Sequence, residues 1–524
     1  MNSPASSDDA QCPEALAFLT DPATHGLDAE AIRVVRTHIS VVVLAGAAAY
    51  KLKRPVRLPY LDFSTLALRR AACDTELALN RRTAPALYRR VRTITRGPDG
   101  RLAFDGAGEP IEAVLEMARF DENTLFDRMA AAHRLTPDLM ERLAGVIAAF
   151  HAEAAPAAPA DAVSDLRRVL DANARAFAHA PSVAPEAAAA LDLQLRQCLD
   201  RLAPLVLARA RAGQVRRCHG DLHLRNICLV DGEPTLFDCL EFDKALATID
   251  VLYDLAFVLM DLQARGEPAL ANFLYNRYLD AAPQRDGVAL LPFFMALRAQ
   301  VRAHVAAQQS TRDGDAAADE ARAYLALARR LLAPRPARLV AVGGPSGSGK
   351  STVAAAIAHA IGPAPGARVI SSDRVRKRLH GVSALTRLPP QAYEAAVSQR
   401  VYAAALEEAA AMLAQGGAVV ADAVFDRPDT RAALVRCARN AGVPFDGVWL
   451  WAPRTELERR VAARRNDPSD ATLAVLDRQL AGIDAPDDWH VTAPRTAEAE
   501  RPPGLETTVA EVQRRLGDAA PVRD

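Results

Sequence analysis

Apolar and polar positions along this chain follow three regimes. Up to about residue 120, short apolar runs alternate with turn residues. From Leu125 to about Leu332 apolar residues recur at three- and four-residue spacing, and beyond Leu339 the two patterns interleave. Within the first regime, Asp28 to Arg36 has a helical pattern. His38 to Leu44 (HISVVVL) is a β-branched run that predicts a strand, and Ala45-Gly46-Ala47 is a small-residue turn. Ala48 to Val56 predicts the second strand of this hairpin, closing at Pro55. Ser64 to Asn80 predicts a helix capped by Asp62 or Ser64. Val91 to Thr95 and Ala113 to Met117 predict two more strands. The helical middle is interrupted by a Pro/Ala break at Ala154 to Ala160 and by a loop-and-strand region from Val215 to Asp243. The stretch Ala333 to Arg338 (APRPAR) reads as a linker. After it, strands are expected at Leu339 to Val342, Arg368 to Ser371, Ala418 to Ala421 and Gly447 to Trp451, with helical segments between them. Strand–helix alternation implies a parallel, doubly wound sheet. The expected domains are therefore 1–332 and 339–524, joined by a linker at 333–338.

Composition narrows the classes. Of 524 residues, 50% are hydrophobic and 24% charged, which is globular rather than disordered. The 64 basic and 64 acidic residues cancel, so a general nucleic-acid or anionic-membrane binder is not expected. No apolar run is long enough to span a bilayer. Met1 to Ala10 is polar and acidic and lacks the pattern of a signal peptide. The seven cysteines (Cys12, Cys73, Cys198, Cys218, Cys228, Cys239, Cys437) are scattered without a CxxC pair, against a disulfide framework or a zinc site. A cytoplasmic protein is expected. Only five of the 64 basic residues are lysine: Lys51, Lys53, Lys244, Lys350 and Lys377. This reads as a coding bias toward Arg, so the surviving lysines mark positions where a compact ammonium on a flexible stem matters.

Gly344-Pro345-Ser346-Gly347-Ser348-Gly349-Lys350-Ser351 matches GxxxxGK[ST] in full, between a predicted strand and a predicted helix, Thr352 to Ile361. The glycines let backbone N–H groups wrap a phosphate, and the helix N-terminus adds a positive dipole end. Lys350 would reach the terminal phosphates and Ser351 would ligate Mg²⁺. Asp373 ends a second predicted strand (VISSD) and Asp422 a third (AVVADA), beside the loop. Asp422 is assigned to the metal and Asp373 to the proton of a substrate hydroxyl. Arg460 and Arg464 lie four apart on one predicted helical face, followed by Asn466-Asp467-Pro468-Ser469-Asp470; this pair reads as a lid over phosphates. No tandem-acid pair stands at Asp422, which weighs against a mechanical ring ATPase.

The segment His219-Gly220-Asp221-Leu222-His223-Leu224-Arg225-Asn226 has the form HGDxxxxN. A hairpin turning at Asp231-Gly232 leads to Phe237-Asp238-Cys239-Leu240-Glu241-Phe242-Asp243. The spacing is that of the HRDxxxxN loop of protein kinases. Asp221 would orient a hydroxyl and accept its proton, while Asn226 and Asp238 would hold Mg²⁺. A strand lysine and a helix glutamate should precede them. Lys51 and Lys53 share one face of the second strand, and Lys51 is preferred as the partner of Glu76. Glu116-Met117 follows an apolar strand and is expected as the hinge that meets adenine.

Two resemblances follow. GGPSGSGKS, SSDRVRKRL, VVADAVFDRPDTR and RRVAARRNDPSDA make residues 339 to about 500 resemble the small P-loop kinases of metabolites, the group with gluconate kinase, chloramphenicol phosphotransferase and the zeta-toxin-like kinases. That resemblance implies an α/β P-loop fold with a parallel sheet, a substrate-facing role for Asp373 and Arg376, and a lid role for Arg460 and Arg464. CHGDLHLRNICL, LFDCLEFD and IDVLYDLAFVLMDL resemble the aminoglycoside-phosphotransferase-like kinases. This implies an α+β, protein-kinase-like bilobal fold, with Asp250 or Asp254 supporting the catalytic loop. The family's front-end glycine loop is missing. The fusion resembles a bacterial architecture labelled bifunctional aminoglycoside phosphotransferase/ATP-binding protein. The expectation is a Mg-ATP-dependent phosphotransferase with two active sites and small hydroxyl-bearing acceptors, without nucleic-acid or membrane partners. The alternative makes the first domain a regulatory sensor for a C-terminal P-loop kinase or ATPase.

Overall fold

A computed structural model describes residues 13–37, 39–58, 61–157, 161–180, 182–282, 284–313, 315–465, 467–491 and 504–518. Met1 to Ala10, Cys12, His38, Ala158 to Ala160 and Asn466 lie outside the described residues. By contact density the chain forms two units, residues 1–165 with 207–258, and residues 166–206 with 259–524. Each crossing between them falls inside a helix: Ala162–Phe177, Pro185–Arg211 and Val251–Ala264.

In the first unit, β1 (Ile32–Arg36), β2 (Ser40–Ala45) and β3 (Ala48–Lys53) form an antiparallel meander. A two-residue hairpin, β4 (Arg57–Leu58) and β5 (Leu61–Asp62), precedes the helix Leu66–Asn80. Then come β6 (Tyr88–Arg96), β7 (Leu102–Phe104) and β8 (Glu109–Ala118), completing a six-stranded sheet in the order β1-β2-β3-β8-β6-β7. The expected helix over Asp28 to Arg36 is instead a short 3₁₀ turn, Ala29–Ala31, followed by β1. Val34 and Val35 are β-branched and pair with Val43 and Val42 of β2, so a sheet partner overrides the local helical pattern. The helix Leu66–Asn80 is capped by Thr65, whose hydroxyl accepts from Leu68 N at 3.3 Å; neither Asp62 nor Ser64 caps it. Asp62 binds Ser64 instead, through N–H and hydroxyl. Alternation splits the sheet residues between two cores. Val41, Val43, Tyr50 and Leu52 pack with Ala15 and Leu19 on one face. Leu44, Ala49, Leu115 and Met117 line the other. The C-terminal part of the unit holds β9 (Val215–Arg217), the hairpin β10 (Ile227–Val230) and β11 (Glu233–Leu236), and β12 (Thr248–Asp250), which pairs with β9. Asp231 and Gly232 take φ of 52° and 82°, the geometry a tight two-residue hairpin turn requires.

In the second unit, β13 (Leu339–Gly343), β14 (Arg368–Ser371), β15 (Val419–Asp422), β16 (Phe445–Trp449) and β17 (His490–Val491) form a wholly parallel sheet, ordered β14-β15-β13-β16-β17. Every residue of β13 is buried, as expected of a strand covered on both faces. Val342, Asp422 and Ser371 stand in register, which brings the ends of three strands level. Strand order reverses at β13, the position where open α/β sheets place ligands. Among the described residues no helix is long and apolar enough to cross a membrane.

Candidate active sites

The first site grows from a polar stripe on an otherwise ordinary helix. Arg69, Cys73, Glu76 and Asn80 recur at helical spacing on the buried face of Leu66–Asn80. Glu76 meets both strand lysines, Lys51 Nζ at 2.7 Å and Lys53 Nζ at 2.5 Å. The lysines part at their second partner. Lys51 donates to Asp238 Oδ1 at 2.6 Å, and Lys53 to Glu241 Oε1 at 2.5 Å. The Asp238 side chain is 41% exposed and that of Glu241 only 6%, so Lys51 lies at the open end of the cluster and Lys53 is sealed inside. Burial alone would lower the Lys51 pKa, but Asp238 and Glu76 outweigh it and hold it well above its ordinary value. Burial would raise Glu76, and the two ammonium groups bring it down to about 2.

Asp238 takes a φ of +61°, a conformation that costs a side-chain-bearing residue about 1–3 kcal/mol. Its neighbours hold it there: Asp238 N donates to Tyr88 Oη at 3.1 Å, and Cys239 N to Asn80 Oδ1 at 2.8 Å. The loop from His219 to Asn226 is fixed from beneath by Asp254. That carboxylate accepts from His219 N at 3.1 Å and Gly220 N at 2.9 Å, and lies 3.2 Å from His151 Nε2. Asp250 pairs with Arg209 instead, so of the two expected supports Asp254 holds the loop. Gly220 has φ +85°, and a Cβ there would stand 2.6 Å from the Ala247 Cβ. Asn226 Nδ2 donates to both the backbone oxygen and Oδ2 of Asp221 at 2.9 Å, and His223 Nε2 lies 3.3 Å from the same carboxylate.

The two residues expected at the hinge stand on the sheet. Glu116 and Met117 lie inside β8, paired on one side with Tyr50 and Ala49 and on the other with Arg90 and Tyr88. The Glu116 carboxylate is held by Arg90 at 3.0 Å, with Arg89 and Arg92 at 3.6 Å. The chain leaves the sheet only after Ala118. The missing glycine loop also has a structural counterpart: Gly46 sits in the turn between β2 and β3, and residues 37–39 between β1 and β2 contain no glycine.

The second site is built from contiguous backbone. Gly344, Gly347 and Gly349 take φ of 134°, 86° and 92° between β13 and the helix Lys350–Ala358. A Cβ at Gly344 would stand 2.2 Å from Leu450 O, and one at Gly347 2.7 Å from Leu457 O. Pro345, Ser346 and Ser348 are buried within the loop, while Thr352 in the first helical turn is exposed. Lys350 Nζ donates to Pro345 O at 2.9 Å, Ser351 Oγ to Asp422 Oδ2 at 2.7 Å, and Ser346 N to Gln479 Oε1 at 2.9 Å. Burial lowers the Lys350 pKa despite nearby Asp422 and Asp373. Burial likewise raises the pKa of Asp422 and of Asp373, against the opposing pull of Lys350 on both. Asp373 is not at a strand end, because β14 stops at Ser371 and Asp373 falls in the first turn of the helix Ser372–Leu379. Negative charge is favoured there by the helix dipole. Arg460 and Arg464 do not share a helical face. Arg460 lies on Arg454–Ala462 and reaches Gly347 O at 3.3 Å, but that helix ends before Arg464, which lies 3.8 Å from Asp467. Arg376 is buried, donates to Ala392 O at 2.6 Å and stacks over Tyr393.

Several members of these sites carry no motif. Asn80 and Tyr88 are brought in by tertiary packing. Asn80 was accessible in principle through its spacing from Glu76; Gln479, on the helix Leu473–Gly482, offers no such signal. Asp470 gathers Lys377 Nζ at 2.5 Å, Leu388 N at 3.0 Å and the Tyr393 hydroxyl.

Two family profiles match the chain. The Phosphotransferase enzyme family matches residues 67–291, and the AAA domain matches residues 339–486. The chain is thus an ATP-dependent phosphotransferase in class, a kinase-like segment followed by a P-loop kinase segment. It is 32% identical over 467 residues to uncharacterized protein Rv2004c of Mycobacterium tuberculosis, covering 87% of this chain and 91% of that protein. Uncharacterized protein Mb2027c of Mycobacterium bovis matches with the same identity and coverage. The chain belongs to the family these proteins form. Among solved structures, it is similar to a choline/ethanolamine kinase family protein from Mesorhizobium loti (TM-score 0.36, 14% identity, 61% of this chain and 99% of that one). It is also similar to the Mycobacterium tuberculosis APS kinase CysC in complex with AMPPNP and APS (TM-score 0.26, 21% identity, 35% and 99%).

Proposed function

We propose that the chain carries two Mg-ATP-dependent kinase sites, one in residues 1–332 and one in 339–524, with 333–338 as the connection. Each moves the γ-phosphoryl group of ATP to the hydroxyl of a small molecule. The observation that carries this reading is the position of Lys51, which touches Glu76 and, 187 residues onward, Asp238. A lysine held by a helix carboxylate beside a second, more exposed carboxylate suits the α- and β-phosphates with a metal alongside.

In the first site, Asp221 takes the proton as the acceptor oxygen bonds to the γ-phosphorus. The bond to the β-phosphate oxygen breaks and ADP leaves. Asn226 and Asp238 offer hard oxygen donors of the kind Mg²⁺ prefers, and they would hold it. In the second site, the glycine loop and Lys350 hold the phosphates, with Arg460 over the loop and Arg464 beside it. Ser351 and Asp422, already hydrogen-bonded to each other, would hold the metal, and Asp373 takes the proton. Bound Mg²⁺ supplies neutralisation of the charge that builds on the phosphate oxygens.

The test is ATP consumption with a panel of sugars, sugar acids, nucleosides and aminoglycosides, with products identified by mass. Wild type, Asp221→Asn and Lys350→Ala are run in parallel. Each variant should lose a different phosphorylated product. If Asp221→Asn loses none, the first site does no chemistry and the reading fails for residues 1–332.

A further inference from the structure

The helix Pro268–Ala281 lies within the segment matched by the Phosphotransferase enzyme family, yet it is part of the same compact unit as the phosphate loop. It covers the outer edge of β14. Asn272 Nδ2 donates to Pro365 O at 3.2 Å and Ala367 O at 3.0 Å, and Asn276 Nδ2 donates to Ala367 O at 3.1 Å. Asn276 Oδ1 accepts from Val369 N at 2.7 Å. An edge strand presents unpaired backbone donors and acceptors, and here two buried carboxamides meet them as a neighbouring strand would.

One turn further along, the same helix grips the element that carries Asp373. Asp280 Oδ1 accepts from Arg368 Nη2 at 2.6 Å, and its Oδ2 lies 3.4 Å from Arg374 Nη1. Glu408, on the helix Ala395–Ala414, takes Arg368 at 2.9 Å and Arg378 at 2.5 Å. Arg374 and Arg378 are four residues apart on Ser372–Leu379 and therefore share a face, while Asp373, Arg376 and Lys377 share another. Burial would raise the Asp280 pKa, but Arg368, Arg277 and Arg374 outweigh it and hold it at about 2. A buried ion pair is a poor source of stability compared with apolar packing, but it fixes geometry well.

We propose that Asp280 is a positioning residue for Asp373. By tying β14 and the helix Ser372–Leu379 together from behind, it sets where the Asp373 carboxylate stands relative to the phosphate loop. The P-loop kinase site is then completed by a helix that precedes the linker. This rests on Asp373 being the group that takes the hydroxyl proton. Lys350, Ser351 and the glycine loop are not part of the anchor, so its loss should slow turnover without weakening nucleotide binding.

The experiment uses the full chain in an Asp221→Asn background, where turnover that disappears with Lys350→Ala belongs to the second site. ATP alone is the probe, with water standing in for the acceptor. Phosphate release gives kcat, a fluorescent ATP analogue gives Kd, and thermal melts report folding. Asp280→Asn and Arg374→Ala should each lower kcat by about 10- to 100-fold, the scale of a small misplacement of a reacting group. The Kd should stay unchanged, and Asp280→Glu should recover most of the rate. An unchanged kcat in folded Asp280→Asn and Arg374→Ala overturns the proposal. So does a kcat loss that Kd and Tm follow in parallel, since that is plain destabilisation. If Asp280→Asn does not fold, Arg374→Ala, at the rim of the anchor, decides alone. Full turnover in Asp373→Asn removes the assignment of Asp373 itself, an outcome distinct from a dead Asp373→Asn beside unaffected Asp280 variants.

Discussion

Lys51 and Lys350 are the two lysines proposed to meet phosphates, and their surroundings treat them in opposite ways. Lys51 is sunk among carboxylates that more than offset its burial, so its charge is secured before any nucleotide arrives. Lys350 is as deeply placed, but its acidic neighbours do not offset the burial, and its pKa falls. The first site draws its charges from three distant segments, the strand at Lys51, the helix at Glu76 and the loop at Asp238. The second uses eight consecutive residues, mostly through their backbone. A site made of paired side chains fails when one partner is removed, because the other is left buried and charged. A site made of backbone fails when atoms are added where only glycine fits.

The largest effects should come from the chemistry. Asp221→Asn and Lys350→Ala should each lower one product by about 10²–10⁴-fold, the range of a positioned base or an electrostatic clamp, and leave the other product at its wild-type rate. Mass-resolved product assays read this directly, and a single product lost in both variants would merge the two sites into one. Next is Glu76→Gln. It strips the shared partner of Lys51 and Lys53 from the sealed end of the cluster, so denaturant melts should show about 3–5 kcal/mol of destabilisation. Asp238→Asn, at the open end, should cost much less stability while removing first-site turnover. Equal losses for the two variants would contradict the split between a sealed and an open lysine.

Legibility in the sequence follows the same contrast. The glycine loop was readable because its conformation is local: Gly344, Gly347 and Gly349 are required by positive φ, and their spacing is their signature. The loop from Asp221 to Asn226 was readable for the same reason, as was the Asp231-Gly232 turn. Depletion of lysine was also informative, since Lys51, Lys53, Lys350 and Lys377 all hold specific partners and only Lys244 is exposed. What the pattern concealed depends on packing. Val34 and Val35 become strand only because β2 is there to pair with them. Asp373 sits on a helix rather than a strand end because β14 stops two residues sooner. Glu116 is turned toward Arg89, Arg90 and Arg92, none of which a strand-and-turn reading connects to it. Asp280 sits on a helix whose periodicity does not connect it to Arg368 or Arg374.

The glycine positions sharpen the comparison at smaller scale. Gly347→Ala would set a Cβ 2.7 Å from a backbone oxygen at φ +86°, a strain of about 1–3 kcal/mol concentrated in the phosphate loop. Fluorescent-nucleotide binding at the second site should be lost while the first-site product persists. Gly232→Ala, in the β10–β11 turn, has φ +82° but no atom within 4 Å of its Cβ. It should cost only the conformational term, about 1–2 kcal/mol by melts, with both activities retained. If both variants behave alike, close approach to Leu457 is not what the loop glycine serves.

The smallest effect is also the one of unexpected sign. Burial first, and then the Asp422 charge, holds the Asp373 pKa above its ordinary 3.8. A carboxylate whose pKa rises on folding supports the folded state while protonated and opposes it once ionised. Its contribution is therefore present at acidic pH and lost as pH rises through the folded pKa. Asp373→Asn removes the ionised form, so in metal-free, nucleotide-free buffer the variant should melt above wild type at neutral pH. That advantage should shrink as pH falls toward 3.8. No such gain should accompany Glu76→Gln, because Glu76 is held down at about 2 by two lysines and supports the fold while ionised. The same Asp373→Asn that stabilises the chain should abolish second-site turnover. On the proposed roles, a carboxylate kept for function at the expense of stability is what separates Asp373 from Glu76, whose charge supports the fold as well.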